Sequence, residues 1–255
     1  MEVRLDGKVA LVSGGTGNLG KALAQRLAES GAQVALVARD QARLDLVTAE
    51  LSAFGTVHGY SADITDVSAC NTVVQQICAD LGKIDILISC AAKMIGGPSL
   101  EVSEQVWDDA FALNPKGMFF LMKEVVSQSM KESGGSIVNI SSVAGVRGMS
   151  FPLCNAVYSA TKGAVNSLTM QAATEWGKYN IRCNAIAPSA IMPDEPRPPR
   201  EGAPEHPPLP EMAPLGHSCS QSEVTALACY LASDLNRSIT GQVIIMDGGA
   251  SILGF

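Results

Sequence analysis

The sequence predicts an α/β fold, a doubly wound, parallel, seven-stranded sheet with helices on both faces. Three observations lead there. Seven short apolar runs recur along the 255 residues, nearly continuous in hydrophobic character rather than alternating, as strands buried on both faces require. Segments of helical period separate them, and parallel strands need such crossovers. No internal repeat or change of composition divides the chain, so residues 1–255 read as a single domain.

The first strand is Val9-Ala10-Leu11-Val12, and a helix follows over Leu19–Ser30 with Leu19, Ala22, Leu23 and Leu27 on one face. Gly31 stops that helix. Val34-Ala35-Leu36-Val37 forms the second strand; the third, Thr56–Tyr60, is weaker because His58 and Gly59 dilute it. A helix over Ser68–Leu81 leads to the fourth strand, Ile84–Ile88, and a long one over Glu104–Lys131 to the fifth, Ser136–Ile140. The remaining pairs are helix Tyr158–Tyr179 with strand Ile181–Ile186, and helix Ser220–Ser233 with strand Gln242–Met246. Between Pro193 and Pro214 stand nine prolines in 22 residues. Proline excludes a regular helix or central strand there, so 193–217 reads as an inserted loop or lid at one rim of the sheet.

Bulk chemistry narrows the function. With 47% hydrophobic and 17% charged residues, the chain reads as a well-packed soluble protein. A net charge of −7 with no basic run argues against a nucleic-acid partner. No apolar stretch approaches the roughly 18–20 residues of a membrane span, and Met1–Lys8 lacks the apolar core of a secretory signal. The seven cysteines are scattered without a Cys-x-x-Cys pair, which suits reduced thiols in the cytoplasm. His217 and Cys219 alone make no metal site.

Tyr158 and Lys162 stand four positions apart, so a helix stacks them on one face with Cβ atoms about 5–6 Å apart. An ammonium beside a phenol favours the phenolate and lowers a pKa that starts at about 10. A tyrosine so tuned exchanges a proton near neutral pH. Ser141 and Ser142 end the fifth strand, where a hydroxyl can hold a carbonyl or alcohol oxygen. Alone, Tyr-x-x-x-Lys is more often plain helix surface, and its meaning depends on the rest of the chain.

The rest includes Ser13-Gly14-Gly15-Thr16-Gly17-Asn18-Leu19-Gly20, set between the first strand and the first helix. Small residues there let the backbone approach a pyrophosphate, which the helix N-terminus stabilises. The second strand ends in Ala38-Arg39, without the acidic residue that would bind a ribose hydroxyl pair. Arg39 offers a planar donor fork to a 2′-phosphate, which favours NADP(H) over NAD(H). The alternative pairs Arg39 with Asp40 or Asp45.

With these parts in order, the chain resembles the short-chain dehydrogenase/reductases, single-domain Rossmann oxidoreductases. The likeness runs from Leu5–Gly14 to Thr240–Gly249. The family's glycine turn matches Ser13–Gly20, with Asn18 in place of the middle glycine; asparagine tolerates positive φ better than most residues. The resemblance implies adenine contacts from Asp63 and Ile64, and cofactor contacts from Cys90, Ala91 and Ala92, where the family usually has Asn-Ala-Gly. It implies Asn114, Ser142, Tyr158 and Lys162 as the catalytic set, with Ser141 as an alternative hydroxyl. The step from Ser142 to Tyr158 is 16, three more than the family's usual spacing. Pro115 implies a kink that frees a carbonyl for the asparagine's proton relay, or else a helix beginning there. Pro188, Ser189 and Ile191 match the family's nicotinamide-side contacts, with Ser189 for its glycine and Pro193 for its threonine.

These residues lead to an NADP(H)-dependent oxidoreductase acting on a ketone or secondary alcohol of a small or medium-sized metabolite. The alternatives are a 3-oxoacyl-[acyl-carrier-protein] reductase, an epimerase or dehydratase using the same nucleotide, and a silent nucleotide-binding sensor. Expected substrate walls are Lys93, Met94, Ala144, Gly145, Val146, Arg147, Leu153, Cys154, Asn155, Ile191 and Met192. Arg147 either greets an anionic group or is a solvated loop residue. The resemblance further implies a homo-oligomer, dimer or tetramer, paired through the Glu104–Lys131 and Tyr158–Tyr179 helices.

Overall fold

In the computed structural model, described over residues 2–149, 155–194 and 213–253, seven parallel strands form one sheet. They are β1 (Val9–Ser13), β2 (Gln33–Ala38), β3 (Val57–Ser61), β4 (Ile86–Ser89), β5 (Gly135–Ile140), β6 (Ile181–Pro188) and β7 (Val243–Met246), in the order β3-β2-β1-β4-β5-β6-β7. Each apolar run of the sequence became a strand. Successive side chains point to opposite faces. Ala10 and Val12 therefore face one core with Ile88 and Ile186, while Leu11 faces the other with Leu87 and Ile137. The diluted third strand is real. A Cβ on Gly59 would stand 3.0 Å from Thr48 Oγ1, so the glycine lets the neighbouring helix lie close.

The first core is covered by α1 (Asn18–Glu29), α2 (Gln41–Leu51) and α8 (Gln221–Ala232); the second by α3 (Val67–Leu81), α5 (Met118–Val125) and α7 (Ala156–Trp176). Ser220 and Ser233 bound α8 as caps, with Ser220 and Glu223 forming a reciprocal capping box. The long helix over Glu104–Lys131 needs correcting. It is α4 (Glu104–Phe111), α5 and the short α6 (Lys131–Ser133), joined through wide π-helical turns at Ala112–Gly117 and Val126–Met130. The helix does not begin at Pro115. It runs through Pro115 by widening, which accommodates the missing N–H.

The chain reverses its strand order between β1 and β4, and ligands of open α/β sheets bind beyond the strand ends at such a switch point. There the Ser13 hydroxyl, buried at the end of β1, accepts from the backbone N–H of Cys90 (3.2 Å) and Ala91 (3.4 Å).

Candidate active site

A cleft of about 930 Å³ opens at this edge of the sheet and brings together most of the residues singled out in the sequence. Its nucleotide end is built by Gly14, Thr16, Gly17, Asn18, Leu19 and Gly20, with Arg39, Asp40, Arg43, Asp63 and Ile64 beyond them. At Gly14, Gly15 and Gly20 the turn has no room for a side chain. Gly14 has φ +70°, and a Cβ there would stand 2.7 Å from Ala91 Cα; one on Gly20 would stand 2.2 Å from the Gly14 carbonyl. Gly15 turns the other way, its Cβ position filled by Leu36. This bare backbone at the start of α1 fits a pyrophosphate.

Two expectations change. Asn18 is the first residue of α1, and Asn180 is the one described non-glycine residue with positive φ. Tolerance of positive φ is therefore not what lets Asn18 replace a glycine. Arg39 pairs with neither Asp40 nor Asp45; its nearest acid is Asp63, at 3.7 Å on the solvent side. Strands β2 and β3 bring the two together, since Ala38 is in register with Ser61. Asp40 caps α2 by accepting from the Arg43 N–H.

At the other end, Ser142, Tyr158 and Lys162 share the cleft wall with Cys90, Ala91 and Ala92. Ala92 is exposed and free of positive φ, so its extra methyl costs no backbone strain. Lys162 is buried, donates to the Ile140 carbonyl at 2.8 Å, and lies 5.7 Å from the centroid of the Tyr158 ring. Burial pushes its pKa down to about 8, with the Cys90 thiol acting weakly the other way. The two serines differ. Both line the cleft, but Ser141 is buried and donates to Asn166 Oδ1 at 2.5 Å, whereas Ser142 is half-buried and accepts from the Ala144 N–H. That favours Ser142 as the free hydroxyl.

Asn114 lies behind these groups in the π-helical turn. Its carbonyl accepts from the Lys93 N–H (2.8 Å), and its amide donates to the Lys93 carbonyl and to Thr161 Oγ1, both at 3.0 Å. The side chain thus braces the loop after β4 against α7.

Among the expected substrate residues, Met94, Ala144, Ser142 and Ile191 line the cleft, with Pro188 and Ser189 beside them. Others do not. Arg147 donates to the Ala250 carbonyl at 2.5 Å and is neither a cleft residue nor a solvated loop arginine. Asn155 caps α7, accepting from the Val157 and Tyr158 N–H groups, and donates to the Gly96 carbonyl. Met192 bridges to Ser220 away from the wall. Leu153 and Cys154, and residues 195–212 of the 193–217 segment, lie outside the described residues. Sequence reasoning missed Arg43, Leu113, Val143 and Met149 in the wall, and Thr161 and Asn166 behind it. Leu113 and Val143 flank Asn114 and Ser142, and that adjacency was the available signal.

A parallel doubly wound sheet with a glycine-rich nucleotide turn and a Ser, Tyr, Lys group in one cleft defines a dinucleotide-fold oxidoreductase. The comparisons sharpen this. Residues 15–251 match a family model described as enoyl-(acyl carrier protein) reductase. A 3-oxoacyl-[acyl-carrier-protein] reductase of Thermotoga maritima is 34% identical, over 98% of this chain and all of that one. Among solved structures, a putative short-chain alcohol dehydrogenase of Sinorhizobium meliloti 1021 superposes with a TM-score of 0.87, 32% identity and 99% of each chain covered. An NAD+-bound xylitol dehydrogenase gives 0.86 at 29% identity, covering 96% of this chain and 99% of the other. The chain belongs to the short-chain dehydrogenase/reductases, enzymes acting on CH–OH or C=O groups with NAD(P).

Proposed function

We propose that the protein is an NADP(H)-dependent oxidoreductase interconverting a ketone and a secondary alcohol of a small or medium-sized metabolite. The single cleft carries this reading, because the glycine turn and the Ser142, Tyr158, Lys162 group share its walls. When bound, the nicotinamide supplies or takes the hydride. In reduction, Ser142 donates a hydrogen bond to the substrate carbonyl oxygen, and Tyr158 gives its phenolic proton to that oxygen. The Lys162 cation stabilises the phenolate left behind and binds the nicotinamide ribose. Asn114 takes part by position, holding the wide turn against α7 beside the path of proton resupply. The carbonyl gains two electrons and two hydrogens overall, a hydride at carbon and the Tyr158 proton at oxygen.

Arg39 and Arg43, at the adenosine end, support the preference for a 2′-phosphate. The Arg39–Asp63 pair is solvent-facing, and such pairs contribute about 0–1 kcal/mol, so Arg39 is free to turn to a phosphate. An acyl-carrier substrate would need a basic rim, and of the basic residues expected on the substrate side Lys93 lies 3.8 Å from Asp109 and Arg147 is held by the Ala250 carbonyl. Trp107 and Met170 leave apolar surface on α4 and α7, which supports a homo-oligomer. No helix among the described residues is long and apolar enough to cross a membrane. The six described cysteines are free thiols, which supports a cytoplasmic site of action.

Absorbance at the reduced-nicotinamide band tests the reading. Net change with a carbonyl or alcohol substrate is expected; product without change would make the chain an isomerase or lyase. A preference for NADH over NADPH would overturn the cofactor assignment.

A further inference from the structure

The two ends of the cleft differ in chemistry. Towards the adenosine end stand Thr16, Asn18, Arg39, Asp40, Arg43 and Asp63. The rest of the lining, which carries Ser142 and Tyr158, includes Met94, Leu113, Val143, Ala144, Met149 and Ile191. None of these six side chains ionises or donates a hydrogen bond.

Most of the described polar side chains bordering this region make their bonds elsewhere, although Arg147 Nε is buried without a partner. The Lys93 ammonium lies 3.8 Å from Asp109. Arg147 reaches away to the Ala250 carbonyl, and Asn155 is divided between the start of α7 and the Gly96 carbonyl. Ser189 Oγ is 2.6 Å from Ser218 Oγ, Ser141 is taken by Asn166, and every polar atom of the Asn114 amide is bonded to Lys93 or Thr161. Among the described residues, polarity at the reacting end comes from Ser142, Tyr158 and Lys162. Those three deal with one oxygen and the cofactor.

We infer that the substrate is a neutral, predominantly hydrophobic ketone or secondary alcohol. Its one oxygen sits at Ser142 and Tyr158, and its carbon skeleton lies against Met94, Met149 and Ile191. This rests on the oxidoreductase reading above. Burying a methylene against such a wall favours binding by about 0.8 kcal/mol, or roughly fourfold per CH₂. A polyol, like the one named for the structurally similar xylitol dehydrogenase, would bring further hydroxyls to a wall with nothing to bond them. Each buried, unpaired hydroxyl costs about tenfold or more. Two methionines in the wall adapt to irregular shapes, so selectivity follows polarity more closely than outline.

The test uses the full chain with saturating NADPH and a series of unbranched methyl ketones from four to nine carbons. Dihydroxyacetone, a ketohexose and a 3-oxo acid serve as polar counterparts. The expected result is a kcat/KM rising about fourfold per added methylene until the wall is covered, with the polar counterparts more than 100-fold below the best ketone. Met94→Lys, a change at an exposed side chain, should flatten the series and leave NADPH affinity unchanged. A flat or falling series in the parent protein, or preferred turnover of the hydroxylated or anionic compounds, overturns the inference and leaves the oxidoreductase reading intact. Turnover of no carbonyl or alcohol by protein that still binds NADPH overturns the reading itself, and the inference with it.

Discussion

Lys162 reaches from α7 to the end of β5, where its ammonium donates to the Ile140 carbonyl at 2.8 Å, two residues before Ser142. The same nitrogen stands 5.7 Å from the centre of the Tyr158 ring. One buried cation therefore fixes the strand end bearing the serine against the helix bearing the tyrosine. A cation held by carbonyl oxygen rather than carboxylate is costly to bury, and its pKa falls to about 8.

That cost is measurable as a pH dependence. In the unfolded chain the lysine pKa is about 10.4, so between about pH 8 and that value the unfolded state holds more protons and stability rises with pH. Below pH 8 the whole penalty is present, on the order of 3 kcal/mol for a shift from 10.5 to about 8. Buried thiols act oppositely above about pH 9, since burial raises Cys183 to about 12 and Cys229 to about 11. Comparing the cofactor-free parent with Lys162→Met cancels Cys183 and Cys229, which do not interact with Lys162. Urea melts should show the variant losing stability relative to the parent as pH rises from 7.5 to 10. A difference that stays constant would show that burial does not tax this amine.

Tyr158→Phe keeps the ring and removes the phenolic proton. General acid–base groups contribute about 10²–10⁴-fold, so kcat should fall by that range. NADPH fluorescence titration should change little, because the glycine turn is untouched. Undiminished turnover would take Tyr158 out of the mechanism.

Arg39→Gln removes the planar cation at the end of β2 while keeping a polar side chain. Hydrogen bonds to charged groups are worth about 1.5–3 kcal/mol. The kcat/KM for NADPH should fall about 10–100-fold, with that for NADH nearly unchanged. Equal losses with both cofactors would mean that Arg39 reads no phosphate.

Much of this architecture was legible because burial on both faces leaves a plain mark. Val9–Ser13 and Gly135–Ile140 are uninterrupted at the cores they enter, and Ser220 announces its helix by the Glu223 three residues on. The glycine turn and the Tyr158, Lys162 step were equally visible, since both depend on local spacing. The wide turn at Ala112–Gly117 was not, because it inserts extra backbone without altering which residues are apolar; Pro115 was its one trace. The α2 helix escaped separate notice among its charged neighbours, although Leu44, Val47 and Leu51 form its buried stripe. Long-range partners were beyond reach. Arg147 finds a carbonyl 103 residues away, and Arg39 finds Asp63 only because β2 and β3 pair.

Thr161 illustrates such a hidden partner and gives a further prediction. Its hydroxyl is fully buried, accepts from the Asn114 amide at 3.0 Å and donates to the Tyr158 carbonyl at 2.8 Å. Valine has nearly the same shape and neither bond. Thr161→Val would leave an Asn114 N–H unpaired in the interior, a loss of about 1–3 kcal/mol. Because Asn114 also holds both backbone groups of Lys93, the loop after β4 should loosen, lowering kcat more than it changes NADPH affinity. Thr161→Ser keeps the hydroxyl and should recover most of both. Chemical melts and single-turnover rates on the three proteins check this. Parent-like stability and rate in Thr161→Val would show that Asn114 needs no support from α7.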